Sequence, residues 1–236
     1  MNCRYCGSPL PADVKFCSNC GRSQQEDSNA GTPQEMSSSG APPPLPGGPI
    51  QAQTGKWISA GWQMVKNEIG LFCLMSIVFL VINGCVPLIL QGPLMAGFHI
   101  ACIRKLMRGR LDIGDMFKGF NFFGAGLLAF LIISVFTFLG SLLCIIPGLV
   151  IAAMYQFTYL FIIDKKMDFW PAMQASHAIV KNDYFGFTLF FIALLLLNIA
   201  GVLLCLVGVV LTLPIYYAAI TVAYKELVGF ENRENF

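Results

Sequence analysis

The chain has 236 residues, 56% hydrophobic and 12% charged, with a net charge of +2. Soluble domains run nearer about 45–50% apolar and about 25% charged, so this composition excludes an ordinary soluble enzyme. The small net charge also argues against whole-protein attraction to nucleic acid.

Asp, Glu, Lys and Arg are absent from 69–103, 119–163 and 184–224, runs of 35, 45 and 41 residues. A helix crosses a bilayer with about 20 apolar residues, so two of these runs hold a pair of spans each. The chain reads as an all-α polytopic membrane domain behind a small N-terminal metal-binding unit.

That unit spans 1–22. Cys3 and Cys6 form one C-x2-C-G knuckle, and Cys17 and Cys20 form a second. Each two-residue spacer lets both sulfurs face one ion, and the following glycine permits the tight turn of a β-hairpin knuckle. Four thiolates favour one structural Zn2+ over harder ions; an iron site of rubredoxin type and a redox dithiol pair are the alternatives. So short a unit has almost no core, so the metal supplies its folding energy. Reduced cysteines place this end in the cytosol. Arg4, Lys15 and Arg22 are offset by Asp13 and by the charge of a four-thiolate zinc centre, which leaves too few clustered cations for phosphate binding.

The Cys3–Gly7 and Lys15–Gly21 segments, with Leu10-Pro11 between them, closely resemble the short zinc ribbon at the N-terminus of many bacterial membrane and regulatory proteins. The usual form has Pro after the first Cys, where this chain has Arg4. The resemblance implies one structural zinc; the near-neutral charge of the folded unit favours docking of an unidentified cytosolic protein, or a simple folded cap, over nucleic-acid binding.

Residues 23–55 are rich in Ser, Gln, Gly and Pro and lack aromatics. Such a stretch buries too little apolar surface to order itself and reads as a disordered linker. No secretory signal opens the sequence, so the first long apolar segment is expected to direct insertion.

Residues 56–230 form the membrane domain, and 231–236 a short cytoplasmic tail. Spans are expected at 69–86, 92–107, 122–144, 147–164, 185–207 and 210–227, as three hairpins. The first run is short for two crossings, so Lys66 and Arg104 must snorkel or the hairpin is shallow. Cys85, Cys144 and Cys205 lie 59 and 61 positions apart, which suggests a threefold repeat. All 15 Lys and Arg residues fall before 69, in 104–118, in 165–181 or after 224. Cationic loops stay inside, so both termini are expected to be cytoplasmic, in a bacterial inner membrane. Two connecting segments read as interfacial helices: Trp57, Ile58, Gly61, Trp62 and Val65 share one face, and Phe169, Trp170, Met173, His177 and Val180 another. Their tryptophans are expected at the headgroups, and Asp168 is expected to cap the second.

Chemistry within the spans is sparse. His99 is the one ionisable candidate and reads as a partnered structural residue. Asn83, Gln91, Asn198, Tyr216 and Tyr217 read as interhelical hydrogen-bonding groups. Tyr155, Gln156 and Tyr159 read as helix packing in preference to a cavity lining. No catalytic constellation appears, so no enzyme is expected.

Residues 85–228 are similar to uncharacterised bacterial multi-helix proteins and to the membrane domain fused to some glycerophosphodiester phosphodiesterases. The likeness rests on Gly92-Pro93-Leu94, Arg108-Gly109-Arg110, Asp115-Met116-Phe117, Ile146-Pro147-Gly148 and Ala172–Ser176. The phosphodiesterase domain itself is absent. The preferred expectation is a non-enzymatic membrane protein, compatible with a homo-oligomer, whose tethered ribbon engages a partner or regulates the membrane part. The alternative is a transporter or channel for a small or lipid-like substrate.

Overall fold

The computed structural model describes residues 50–86, 88–204 and 207–230. Cys3, Cys6, Cys17 and Cys20, the linker to residue 49, Cys205 and the tail 231–236 lie outside the described residues. The chain divides into two units, 1–40 and 41–236, and all the described helices belong to the second.

All regular structure among the described residues is helical. The order is α1 (Thr54–Lys66), α2 (Ile69–Cys85), α3 (Gln91–Arg108), α4 (Gly114–Phe117), a 3-10 turn (Lys118–Phe122), α5 (Phe123–Leu143), α6 (Ile145–Met154), α7 (Thr158–Asp164), α8 (Phe169–Val180), α9 (Tyr184–Leu203) and α10 (Val207–Leu227).

Four segments are long and apolar enough to cross a membrane: Gly114–Leu143, Ile145–Asp164, Tyr184–Leu203 and Gly208–Leu227. A fifth is reached if α1 and α2, bent by 98°, count together. The chemical reason α3 falls short is in its sequence: Arg104, Lys105 and Arg108 crowd its last turn. That turn ends at Gly109, whose φ of +68° is the left-handed cap conformation open to glycine.

Instead of facing lipid, α3 is the central helix. Gly92 through Ile103 are buried except Met95. The chain after α3 folds back along it so closely that small residues are compulsory. A Cβ on Gly97 would stand 1.7 Å from the Met116 carbonyl oxygen, and one on Gly119 would stand 2.1 Å from that of Pro93. The same element brings Asp115 to Arg104, and Lys118 to Asp115 at 3.1 Å. Lys105 pairs with Glu68 and so joins the end of α3 to the start of α2.

The hairpins α5–α6 and α9–α10 are closed by glycines. Gly140 faces Gly148, and Gly201 faces Gly208. Asn198 accepts from Thr212 Oγ1 at 3.2 Å across the second hairpin, the interhelical role read from its sequence. The outward surface is apolar. Phe138, Leu142, Leu143, Ile145, Ile146, Phe185, Leu203 and Leu204 are all strongly exposed, as side chains solvated by lipid would be.

Two connecting helices differ from the interfacial reading. Helix α1 packs against α10, where Gly61 meets the Ala219 backbone. Trp57 is 1% exposed and donates its Nε1–H to Glu226 at 2.9 Å. It is a core residue; Trp62 and Trp170 are the exposed tryptophans. Helix α8 likewise buries Ala172, Met173, Ala175, Ser176, Ile179 and Val180. Asp168 sits at its N-cap position, but its side chain makes no capping hydrogen bond. Both helices are amphipathic as their periodicity implies, but their apolar faces meet protein in place of headgroups.

Candidate functional site

The helix pair α6 and α7 is one apolar segment with an interruption at Tyr155–Phe157. No proline causes it. The Ser176 hydroxyl of α8 enters the backbone ladder there. It accepts from Phe157 N–H at 3.2 Å and donates to the Met154 carbonyl at 2.7 Å. A side chain inserted into the ladder is a recognised cause of a helix break. One freed amide and one freed carbonyl are thereby satisfied, as apolar surroundings demand.

Beside this break lies a cavity of about 500 Å³. Helix α5 contributes Ser134, Thr137 and Ser141, a polar stripe at positions i, i+3 and i+7 on an otherwise apolar helix. Tyr155, Gln156 and Tyr159 come from the break and the start of α7. His99 projects from α3, and Tyr216 and Tyr217 from α10. Ser134 and Thr137 lie near the middle of α5, and Tyr216 and Tyr217 near the middle of α10, while Ser141 stands close to the end of α5, so the cavity opens at the depth of the helix middles. None of the lining residues is Asp, Glu, Lys or Arg.

The hydrogen-bonding state of this lining is uneven. His99 Nδ1 is 2.9 Å from Thr221 Oγ1. The single hydroxyl proton of Thr221 is engaged with the Tyr217 carbonyl at 2.7 Å. Nδ1 must therefore donate, which leaves Nε2 as an acceptor in the neutral ring. His99 thus has the structural partner expected from its sequence and also lines the cavity.

Gln156 is different. It is 7% exposed, and neither its Oε1 nor its Nε2 has a partner among the described residues. Thr137 Oγ1 is buried and unpartnered in the same way. Leaving such a group unpaired costs about 1–3 kcal/mol. The Tyr155, Gln156 and Tyr159 cluster, read from sequence as helix packing, therefore lines a cavity and carries its unsatisfied amide. Sequence reasoning passed over Thr137 and its two serine neighbours. The signal was present, because three hydroxyls at helical spacing interrupt a charge-free run. Ser176 left no comparable signal, since its role depends on a tertiary contact.

One buried acid lies apart. Asp164, at the end of α7, accepts from the Tyr224 hydroxyl at 3.0 Å, with Lys165 Nζ at 4.0 Å. Among the described residues no group of three His, Cys, Asp or Glu side chains could hold a metal ion. Cys85 and Cys144 are exposed free thiols.

Comparison with known proteins speaks first to the N-terminus. Residues 2–24 match the zinc-ribbon domain family. The match covers Cys3, Cys6, Cys17 and Cys20 and marks a domain type that holds zinc. Together with the apolar helices, the ribbon describes a membrane protein with a zinc-ribbon domain. The chain is also similar to uncharacterised proteins of Mycobacterium bovis and of two Mycobacterium tuberculosis strains. Each is 32% identical over 132 residues, covering 52% of this chain and 40% of the relative. The chain thus spans about two-fifths of the length of the curated relatives it matches. No solved structure matches it.

Proposed function

We propose that the membrane domain carries an uncharged small or lipid-like molecule through a bacterial inner membrane. The observation that supports this reading is the unpaired Gln156 amide in a 500 Å³ cavity beside a broken helix. Irregular backbone at membrane depth is tolerated where it lines a cavity, and interrupted helices are a recurrent way to build a substrate site. The sequence favoured a tethered adaptor; the cavity moves the weight to the membrane part.

The zinc ribbon is then a regulatory or protein-interaction module on a cytosolic tether, with Cys3, Cys6, Cys17 and Cys20 as ligands of one Zn2+. The role proposed is non-enzymatic, as expected from the sequence. The distribution of Lys and Arg supports an even number of crossings with both termini inside, four by helix length and apolarity or six if α2 and α3 also cross. The glycine pairs Gly140–Gly148 and Gly201–Gly208, 61 and 60 positions apart between hairpins, support the repeat for its second and third units.

The test is reconstitution of the full chain into liposomes and measurement of transbilayer movement of a fluorescent, uncharged single-chain lipid. Faster movement than in protein-free vesicles, retained after deletion of residues 1–55, is expected. Movement no faster than in protein-free vesicles sinks the carrier reading. Zinc analysis of the intact chain against Cys17→Ser tests the ribbon, where one metal per chain should be lost.

A further inference from the structure

A second cavity, about 400 Å³ in volume, adjoins the first. Its walls are Phe136, Leu139, Leu143, Pro147 and Ile151, with Gly140 at its floor. Tyr155 lines both spaces. The two differ sharply in chemistry. One is bordered by hydroxyls, an imidazole and an unpaired carboxamide; the other is bordered by aliphatic and aromatic carbon up to the Tyr155 ring. Leu139 and Leu143 are also strongly exposed on the lipid-facing surface, so the apolar space is continuous with the surrounding acyl chains.

We propose that the two cavities form one site for an uncharged single-chain amphiphile, its polar head at Gln156 and Thr137 and its tail past Tyr155 along the α5–α6 groove. This deepens the reading of the polar cavity as a substrate site and rests on it. Three observations fix the chemical class. Gln156 lines the polar cavity and its enclosed amide has an unused donor and an unused acceptor, which a rotation of the side chain would present to whatever fills the space. A head bearing hydroxyl or amide groups answers both. No lining residue of either cavity carries a formal charge, so a phosphate or carboxylate head would be buried without a counter-ion, which is strongly unfavourable. The two linings share Tyr155 alone, a single junction that suits a molecule with one tail. Water can fill the polar cavity, which is roomy and polar enough to hold it, but water does not account for the adjoining apolar groove.

The experiment uses the full-length chain in phosphatidylcholine nanodiscs and a photoactivatable long-chain monoacylglycerol. Saturable labelling is expected, confined to peptides that line the two cavities, chiefly 130–159 with 95–99 and 216–220, and displaced by unlabelled monoacylglycerol. The deprotonated fatty acid of the same chain should displace it poorly. Gln156→Leu should weaken labelling at least about tenfold, the loss of two neutral hydrogen bonds. If that variant does not fold, Thr137→Val tests the head and Leu139→Trp the groove. The second should reduce labelling by the long-chain probe while sparing a short-chain one. Equal displacement by the fatty acid, labelling unchanged in folded Gln156→Leu or Thr137→Val, or labelling spread over α2, which lines neither cavity, overturns the proposal. Saturable labelling without transbilayer movement keeps this site and removes the carrier reading. Movement without saturable labelling does the reverse.

Discussion

Ser176 and Phe157 are joined by a hydrogen bond of 3.2 Å from the Phe157 amide to the Ser176 hydroxyl, across the interruption between α6 and α7. The same hydroxyl donates to Met154 at 2.7 Å. One side chain therefore satisfies an amide and a carbonyl at the break. Ser176→Ala leaves a buried amide and a carbonyl unpaired at a cost of about 1–3 kcal/mol. Thermal unfolding of the purified protein should fall measurably in midpoint. Ser176→Thr, which keeps the hydroxyl, should lose less. Equal midpoints for Ser176→Ala and the parent would show that the hydroxyl does not hold the break.

The helical class and the three apolar runs are legible in the sequence because charge is excluded from long stretches, a property that needs no tertiary information. The depth of α3 is not. Its tail of Arg104, Lys105 and Arg108 reads as a span end, yet Gly97 and Gly119 admit a backbone that wraps the helix away from lipid. The pattern around Trp57 gives the right helical face and the wrong medium, since amphipathicity does not say whether headgroups or protein cover that face. The cavity is half legible. Its residues stand out in the sequence, but an unpaired amide is visible only once every neighbour is in place.

The closeness of the Asp115–Gly119 element to α3 sets a second expectation. A methyl group at Gly97 would meet backbone of Met116, and one at Gly119 would meet backbone of Pro93 and Gly97. Backbone cannot yield as a side-chain tip can. Gly97→Ala and Gly119→Ala should each cost about 3 kcal/mol or more, the upper end for overpacking. A methyl group at Gly70, on α2, would meet nothing within 4 Å, so Gly70→Ala should be neutral or stabilise by up to about 1 kcal/mol through helix propensity. Unfolding midpoints of the three variants in one detergent decide the matter; a common shift in all three would refute the packing account.

His99 offers a spectroscopic check. Thr221 spends its only hydroxyl proton on Tyr217, so the imidazole must carry its proton on Nδ1. Nitrogen NMR of the ring-labelled protein should show a protonated Nδ1 and a bare Nε2. Thr221→Val removes the acceptor without changing side-chain shape greatly. It should destabilise the fold by about 1–3 kcal/mol and shift the tautomer populations. The opposite tautomer in the parent protein would reverse the donor and acceptor assignment at this wall of the cavity.

The ion pairs of Asp115 and Glu226 should respond differently to loss and to salt. The Asp115 side chain is 3% exposed and faces Arg104, itself 21% exposed, with Lys118 beyond at 3.1 Å. Asp115→Ala strands a partly buried guanidinium. Breaking a fully buried pair costs about 3–5 kcal/mol, and the exposure of Arg104 brings the expected loss down to about 2–3 kcal/mol. Lys56 is 60% exposed in its pair with Glu226, so Lys56→Ala should cost no more than about 1 kcal/mol. Raising ionic strength to about 1 M shortens the screening length to about 3 Å. It should erase most of the Lys56 effect and leave most of the Asp115 effect. Unfolding midpoints for both variants at low and high salt test this, and an Asp115→Ala penalty that vanishes in high salt would mean the carboxylate is solvated rather than enclosed.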